Sequence, residues 1–145
     1  MLTFSKIKES DAKELAMLDS KCFSVPWSEE SFFKEAKNPI ANYVIARIDD
    51  RIVGYAGFWA VTDEGQITNI AVLKDFRRQK IAHKMLLELI EKAKEKGIKT
   101  LTLEVRESNL AAINLYTGFN FKKVGIRKNY YKNPPENAVL MDFTL

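Results

Sequence analysis

The stretch Asn69 to Leu86 reads N-I-A-V-L-K-D-F-R-R-Q-K-I-A-H-K-M-L. It begins as the end of an apolar strand, Gln66 to Val72, and finishes as the start of an amphipathic helix. Ile81, Ala82, Met85, Leu86, Leu89, Ile90 and Ala93 recur at helical spacing and form one apolar stripe, with lysines and glutamates opposite. Gly97 stands where a C-terminal cap belongs. The next strand, Lys99 to Val105, turns Leu101, Leu103 and Val105 to one face and Thr102, Glu104 and Arg106 to the other. The unit Gln66 to Val105 therefore reads as a right-handed parallel crossover. Ligands in such sheets bind at the carboxyl ends of the parallel strands, beside the helix N-terminus. Arg77 to His83 lie at that position.

Working outward, Leu2 to Ile7 alternates like a strand, and Ser10 and Asp11 can cap a helix whose apolar positions are Leu15, Leu18 and Cys22. Pro26 breaks the chain. Ser28, followed by Glu29 and Glu30, opens a second helix that Asn38-Pro39 ends. Tyr43 to Ile48 and Ile52 to Ala60 read as a hairpin around Asp49-Asp50. Past Val105, Ser108 or Asn109 caps a short helix running to about Tyr116, and two strands follow, near Phe121 to Ile126 and Ala138 to Phe143. The order is β-α-α-β-β-β-α-β-α-β-β, which predicts a mixed sheet with helices on both faces.

A chain of 145 residues without repeats, low-complexity tracts or Gly/Ser linkers fits a single domain over residues 1–145. Hydrophobic residues make up 46% and charged residues 29%, a globular rather than disordered balance. No apolar run approaches the roughly 20 residues that span a bilayer, and the N-terminus lacks the apolar stretch of a signal peptide. With Cys22 as the only cysteine, no intrachain disulfide can form, which suits a cytoplasmic location. A net charge of +4 permits attraction to nucleic acid, ribosomes, anionic lipid or a phosphorylated cofactor, and equally describes a generally basic surface.

A helix start offers free backbone N–H groups and the positive end of the helix dipole. Arg77, Arg78 and Lys80 add charge where it favours a pyrophosphate. Taken alone, the segment also fits a basic helix start with no ligand. His83 is the sole histidine, so neither a multi-histidine metal site nor a histidine-dependent triad is available.

The run N-I-A-V-L-K-D-F-R-R-Q-K-I-A resembles the cofactor-binding segment of the GCN5-related N-acetyltransferases (GNAT). That signature has Arg or Gln, two free positions, Gly, one free position, then Gly or Ala. Arg77 and Ala82 fill its first and last positions, and Lys80 occupies the glycine position. Because the first turn of a helix has ordinary right-handed dihedrals, Lys80 is expected to cause no backbone strain. The stretch L-E-V-R-E-S-N-L-A-A-I-N-L-Y-T-G-F-N-F is similar to the RimI subfamily. So are C-F-S-V-P-W-S at Cys22 to Ser28, D-E-G-Q-I-T-N-I-A-V at Asp63 to Val72 and I-R-K-N-Y-Y at Ile126 to Tyr131. Asn120 replaces a family glycine, a milder swap because asparagine tolerates left-handed dihedrals.

This resemblance implies a mixed, mostly antiparallel central sheet of about six or seven strands, with about four helices on both faces. It implies acetyl transfer from acetyl-CoA to the N-terminal alanine of a small-subunit ribosomal protein, without a metal or a covalent acyl-enzyme. Glu104 would be the proton acceptor and Tyr116 the acid that meets the leaving sulfur. Residue types alone leave Glu104 open as a strand glutamate paired with Arg106 or a lysine, and Tyr116 as core packing. The backbone of Ile70, Ala71 and Val72 would pair with pantetheine between splayed strands. Arg77, Arg78, Gln79, Lys80, Ile81, Ala82 and His83 would hold the pyrophosphate, and Asn109 would both cap a helix and contact the pantetheine arm. Trp27, Tyr130 and Tyr131 would line the peptide groove. Cys22, beside Phe23, reads as packing. The expected partner is a protein N-terminus, with no membrane or specific nucleic acid, and the chain is expected as a monomer or weak dimer. Two alternatives remain: transfer to a small amine such as a polyamine or aminoglycoside, or a basic ribosome- or RNA-binding module without catalysis.

Overall fold

The computed structural model describes all residues, Met1–Leu145. The strands are β1 (Leu2–Ser5), β2 (Ala41–Ile48), β3 (Arg51–Val61), β4 (Glu64–Val72), β5 (Thr100–Arg106), β6 (Lys122–Lys132) and β7 (Pro135–Thr144). The helices are α1 (Ala12–Cys22), α2 (Glu29–Lys37), α3 (Ile81–Glu95) and α4 (Leu110–Gly118). All seven strands join one sheet in the order β1-β2-β3-β4-β5-β7-β6. Only β4 and β5 pair in parallel, so the sheet is mixed and mostly antiparallel.

The hydrophobic core has two parts because β2 and β3 are covered on both sides. Alternate β2 residues divide between them: Tyr43 and Ile45 pack with Leu15, Leu18 and Phe32 of α1 and α2, while Val44 and Ala46 pack with Met85, Leu86 and Leu89 of α3. Strict alternation sends successive side chains to opposite faces, so α1 and α2 lie on one face and α3 on the other.

The parallel pair is short. Register runs only through Glu64↔Thr100, Gly65↔Leu101 and Gln66↔Thr102. Beyond Gln66, β4 keeps β3 as its partner while β5 keeps β7, so β4 and β5 part. A register shift between Gly57 and Phe58 opposite β4 leaves Thr68 unpaired at the same level. This is the splay that the family resemblance implies, and it leaves one edge of β4 unpaired from Ile67 to Val72.

Four local expectations change. Asp11 does not cap α1 with its side chain; a short 3-10 turn, Glu9–Asp11, precedes the helix, and the Asp11 carboxylate accepts from the Lys8 backbone N–H at 2.9 Å. The short helix continues past Tyr116 to Gly118. β6 begins at Lys122 but extends to Lys132, because β7 resumes pairing with it beyond a break between Arg127 and Tyr131. Most consequentially, Lys80 is the N-cap of α3, not part of its first turn, and has φ 60° and ψ 24°. That conformation is left-handed, so the glycine of the family signature answers a backbone requirement that Lys80 meets with strain. Arg78 has φ 65° in the same loop. Asn120, at φ 72°, also takes a left-handed conformation, one that asparagine tolerates.

Candidate active site

One strand serves two cavities. Ile67, Thr68 and Asn69 of β4 line a cavity of about 470 Å³, and Ile70, Ala71 and Val72 line a groove of about 760 Å³. The change falls between Asn69 and Ile70, within the part of β4 that has left β5.

The groove gathers Arg77, Arg78, Lys80, Ile81, Ala82, His83, Asn109 and Tyr116 with Cys22 and Phe76. Of the expected cofactor-binding set, only Gln79 is not in its wall. Three of the four α-helices have a side-chain cap or an acid in the first turn: Glu14 in α1, Ser28 with Glu29 and Glu30 in α2, and Asn109 in α4. α3 has neither. Its first helical bond is from Lys84 N–H to the Lys80 carbonyl at 3.0 Å, so the preceding amides of Ile81, Ala82 and His83 have no intrahelical partner. Together with Arg77, Arg78 and Lys80 they make a donor-rich, positive end to the groove, which fits a pyrophosphate-bearing molecule. Arg77 also has a structural bond. Its Nε donates to the Val72 carbonyl at 3.1 Å, and the Cys22 thiol donates to the same oxygen at 3.6 Å. Burial raises the Cys22 thiol pKa, with Arg77 opposing, so the thiol stays protonated and packs rather than attacks. The exposed His83 ring lies 4.6 Å from that of Phe119.

Tyr116 is 6% exposed, and its ring packs against Phe121 at 5.5 Å. Burial, with a smaller contribution from Tyr131, pushes its hydroxyl pKa above the ordinary value, so the phenol keeps its proton at neutral pH.

The smaller cavity brings Glu104 together with Trp27, Tyr130 and Tyr131, residues that lie far apart in the sequence. Glu104 stands on the face of β5 opposite Leu103 and Val105, as the alternation requires. Arg106 is not its partner. The nearest cation is Arg127, whose Nε lies 3.9 Å from Oε2, at the limit of an ion pair. Oε2 is buried and accepts no hydrogen bond. An orphaned buried acceptor costs about 1–3 kcal/mol, so its persistence points to a use.

The same cavity contains residues that sequence reasoning missed: Glu64, Asp142, Arg127, Trp59 and Thr68. Three carboxylates, Glu64, Glu104 and Asp142, face one arginine. The sequence shows no acidic cluster there because they come from β4, β5 and β7. Only the register Thr102↔Asp142 brings the last of them beside β5. Two further buried carboxylates hold the aromatic wall. Glu35 accepts from Trp59 Nε1 at 2.9 Å and from the Tyr43 hydroxyl at 2.6 Å, which also meets Thr68 Oγ1 at 3.2 Å. Asp19 accepts from the Tyr55 hydroxyl at 2.5 Å and from the Trp27 backbone N–H at 2.8 Å, fixing the loop that carries Trp27. Burial raises the Asp19 pKa, and these two bonds oppose the rise.

The mixed sheet thus parts over a donor-rich helix start, with a carboxylate on the other side of the parting. Residues 12–121 match the acetyltransferase (GNAT) family, and the chain belongs to that family. Among curated relatives, the ribosomal protein bS18-alanine N-acetyltransferase of Haemophilus influenzae is 38% identical over 146 residues, covering 97% of each chain. Its namesake from Salmonella typhimurium is 36% identical over 143 residues, covering 97% of this chain and 96% of the relative. The crystal structure of the ribosomal-protein-S18-alanine N-acetyltransferase from Escherichia coli superposes with a TM-score of 0.92 at 32% identity, covering 99% of this chain and 94% of that one.

Proposed function

We propose that the chain, acting as a single cytoplasmic domain, transfers acetyl from acetyl-CoA to the α-amine of a protein N-terminus, that of a ribosomal protein beginning with alanine. Acetyl-CoA supplies an activated thioester. Arg77, Arg78, Lys80 and the free amides of α3 hold its phosphates, and the unpaired edge of Ile70–Val72 takes its pantetheine arm as an added strand. Asn109 contacts that arm. Trp27, Tyr130 and Tyr131 hold the acceptor peptide.

The observation that carries the reading is the orphaned Glu104 Oε2, placed in the acceptor cavity where β4 leaves β5. Glu104 takes a proton from the amine, directly or through water. An α-amine with a pKa near 8 needs only a modest base. The amine nitrogen then bonds to the acetyl carbon as the carbon–sulfur bond breaks, and Tyr116 gives its proton to the departing sulfur. The nitrogen's second proton returns through water to the Tyr116 phenolate, leaving a neutral amide, free CoA thiol and one proton on Glu104 that passes to solvent. No acyl-enzyme forms, because burial keeps the Cys22 thiol protonated.

A specific observation also favours a second reading. The cavity carboxylates Glu64, Glu104 and Asp142 suit any cationic acceptor, including a small polyamine. Incubation with acetyl-CoA and either an Ala-Arg peptide or spermidine separates the two. Release of free CoA thiol with the peptide only is expected. Release with spermidine only would replace the peptide reading, and no release across a panel of N-terminal peptides would refute it.

A further inference from the structure

Arg106 closes the strand L-E-V-R, and the chemistry above does not use it. Its guanidinium turns away from Glu104 and grips the turn between β6 and β7. Nη1 donates to the Pro134 carbonyl at 2.9 Å and to Glu136 Oε1 at 3.2 Å, and Nη2 donates to the Asn133 carbonyl at 3.3 Å. The same group lies 4.4 Å from the centre of the Tyr131 ring. Glu136 uses its second oxygen to accept from the Ser108 backbone N–H at 2.6 Å, one residue before the α4 cap Asn109. Ser24, in the loop that carries Trp27, donates its hydroxyl to the Asn133 carbonyl at 2.7 Å.

The segment so gripped needs a hold. β6 is an edge strand with β7 as its only neighbour. Its pairing jumps from Arg127↔Ala138 to Tyr131↔Glu136, leaving residues 128–130 without ladder partners. The two tyrosines that line the acceptor cavity therefore sit at and just beyond a break in their own strand. Backbone pairing does not fix Tyr130 and resumes only at Tyr131↔Glu136, whereas a planar guanidinium can satisfy two carbonyls, a carboxylate and a ring face together.

We propose that Arg106, held by Glu136, is the positioning residue of the acceptor cavity. It fixes the Tyr130–Tyr131 wall against β5, with Glu136 held in turn by the Ser108 backbone N–H. The kinetic part of this inference rests on the proposed transfer to a peptide N-terminus.

The test uses Arg106→Lys, which keeps the charge but loses the fork, and Glu136→Gln, which keeps an acceptor for Ser108. In Arg106→Lys the KM for the acceptor peptide should rise about tenfold, the effect of one lost charge-assisted bond. The kcat and the KM for acetyl-CoA should stay within about twofold, the range of ordinary surface substitutions. Glu136→Gln should show a smaller rise of the same kind. Hydrogen exchange should quicken over residues 128–136 and stay unchanged in α3. An acceptor KM at the wild-type value overturns the positioning role, as does a joint rise in both KM values with a lowered Tm. If the wild-type protein acetylates no peptide, the functional reading fails, and hydrogen exchange still decides: unchanged exchange over residues 128–136 overturns the role.

Discussion

At the N-cap of α3 a lysine holds a backbone conformation that glycine reaches freely. A left-handed residue other than glycine costs about 1–2 kcal/mol. Lys80 brings one positive charge in return, at the rim of the groove. Lys80→Gly should therefore move two quantities in opposite directions: thermal melting should rise, by up to about 1 kcal/mol of stability, while acetyl-CoA should bind a few-fold more weakly in calorimetry. A lower Tm together with tighter binding would contradict this. The sequence expectation of a strain-free lysine failed because it placed Lys80 one residue too far into the helix. The signal that could have corrected it was the family glycine itself, a residue type that marks left-handed backbone. At Tyr116, burial keeps the phenol protonated well past neutrality. Tyr116→Phe should lower kcat about a hundredfold, within the range of general acid catalysis. The wild-type kcat should show no alkaline fall between pH 7 and about 9 from this group, because its pKa is raised above the usual value near 10. A wild-type plateau that already falls at pH 8, and disappears in Tyr116→Phe, would show that Tyr116 titrates in the working range.

Among the elements, the parting of β4 from β5 makes the site, and packing on the neighbouring strand supports it. Gly57 lies opposite the Thr68 irregularity, and a Cβ there would fall inside the van der Waals surface of the Tyr43 ring. Tyr43 in turn links Glu35 to Thr68. Gly57→Ala should cost about 1–3 kcal/mol in denaturant unfolding, the usual price of overpacking, and should raise the acceptor KM. Stability within experimental error of wild type would show that the ring can move aside without consequence. The order and number of elements were legible because the long amphipathic helix and the alternating strands carry strong periodicity. Element ends were less so. The strand expected near Phe121 to Ile126 continues to Lys132, because pairing with β7 resumes at Tyr131↔Glu136 and Lys132↔Pro135. The length of the parallel contact was equally invisible, since it depends on which partner each strand keeps after Gln66.

Across the whole molecule, charge is divided between two mouths. The groove end carries Arg77, Arg78 and Lys80, and the smaller cavity carries Glu64, Glu104 and Asp142 against Arg127. A net charge of +4 conceals this division, which is why composition pointed only to anionic partners. That Trp27, Tyr130 and Tyr131 share one cavity was expected from resemblance to a family, whereas the acid lining arises from three strands and became visible only in the folded sheet. Exposed charge attractions weaken as the screening length falls to about 3 Å near 1 M salt. KM for acetyl-CoA and for a basic N-terminal peptide should therefore both rise with salt, and an Ala-Glu peptide should be a poorer acceptor than Ala-Arg at low salt. Equal rates for the two peptides would show that the carboxylates do not select the acceptor. The central claim, that Glu104 removes the proton in the proposed reaction, is tested most directly by kcat/KM for α-amine acetylation of an Ala-Arg peptide between pH 6 and 9, in wild type and Glu104→Gln. Below pH 8 the amine is mostly charged and needs the base, so the variant should lag about a hundredfold or more there, and the gap should narrow as the pH rises. Superimposable profiles for the two proteins would remove Glu104 from the reaction.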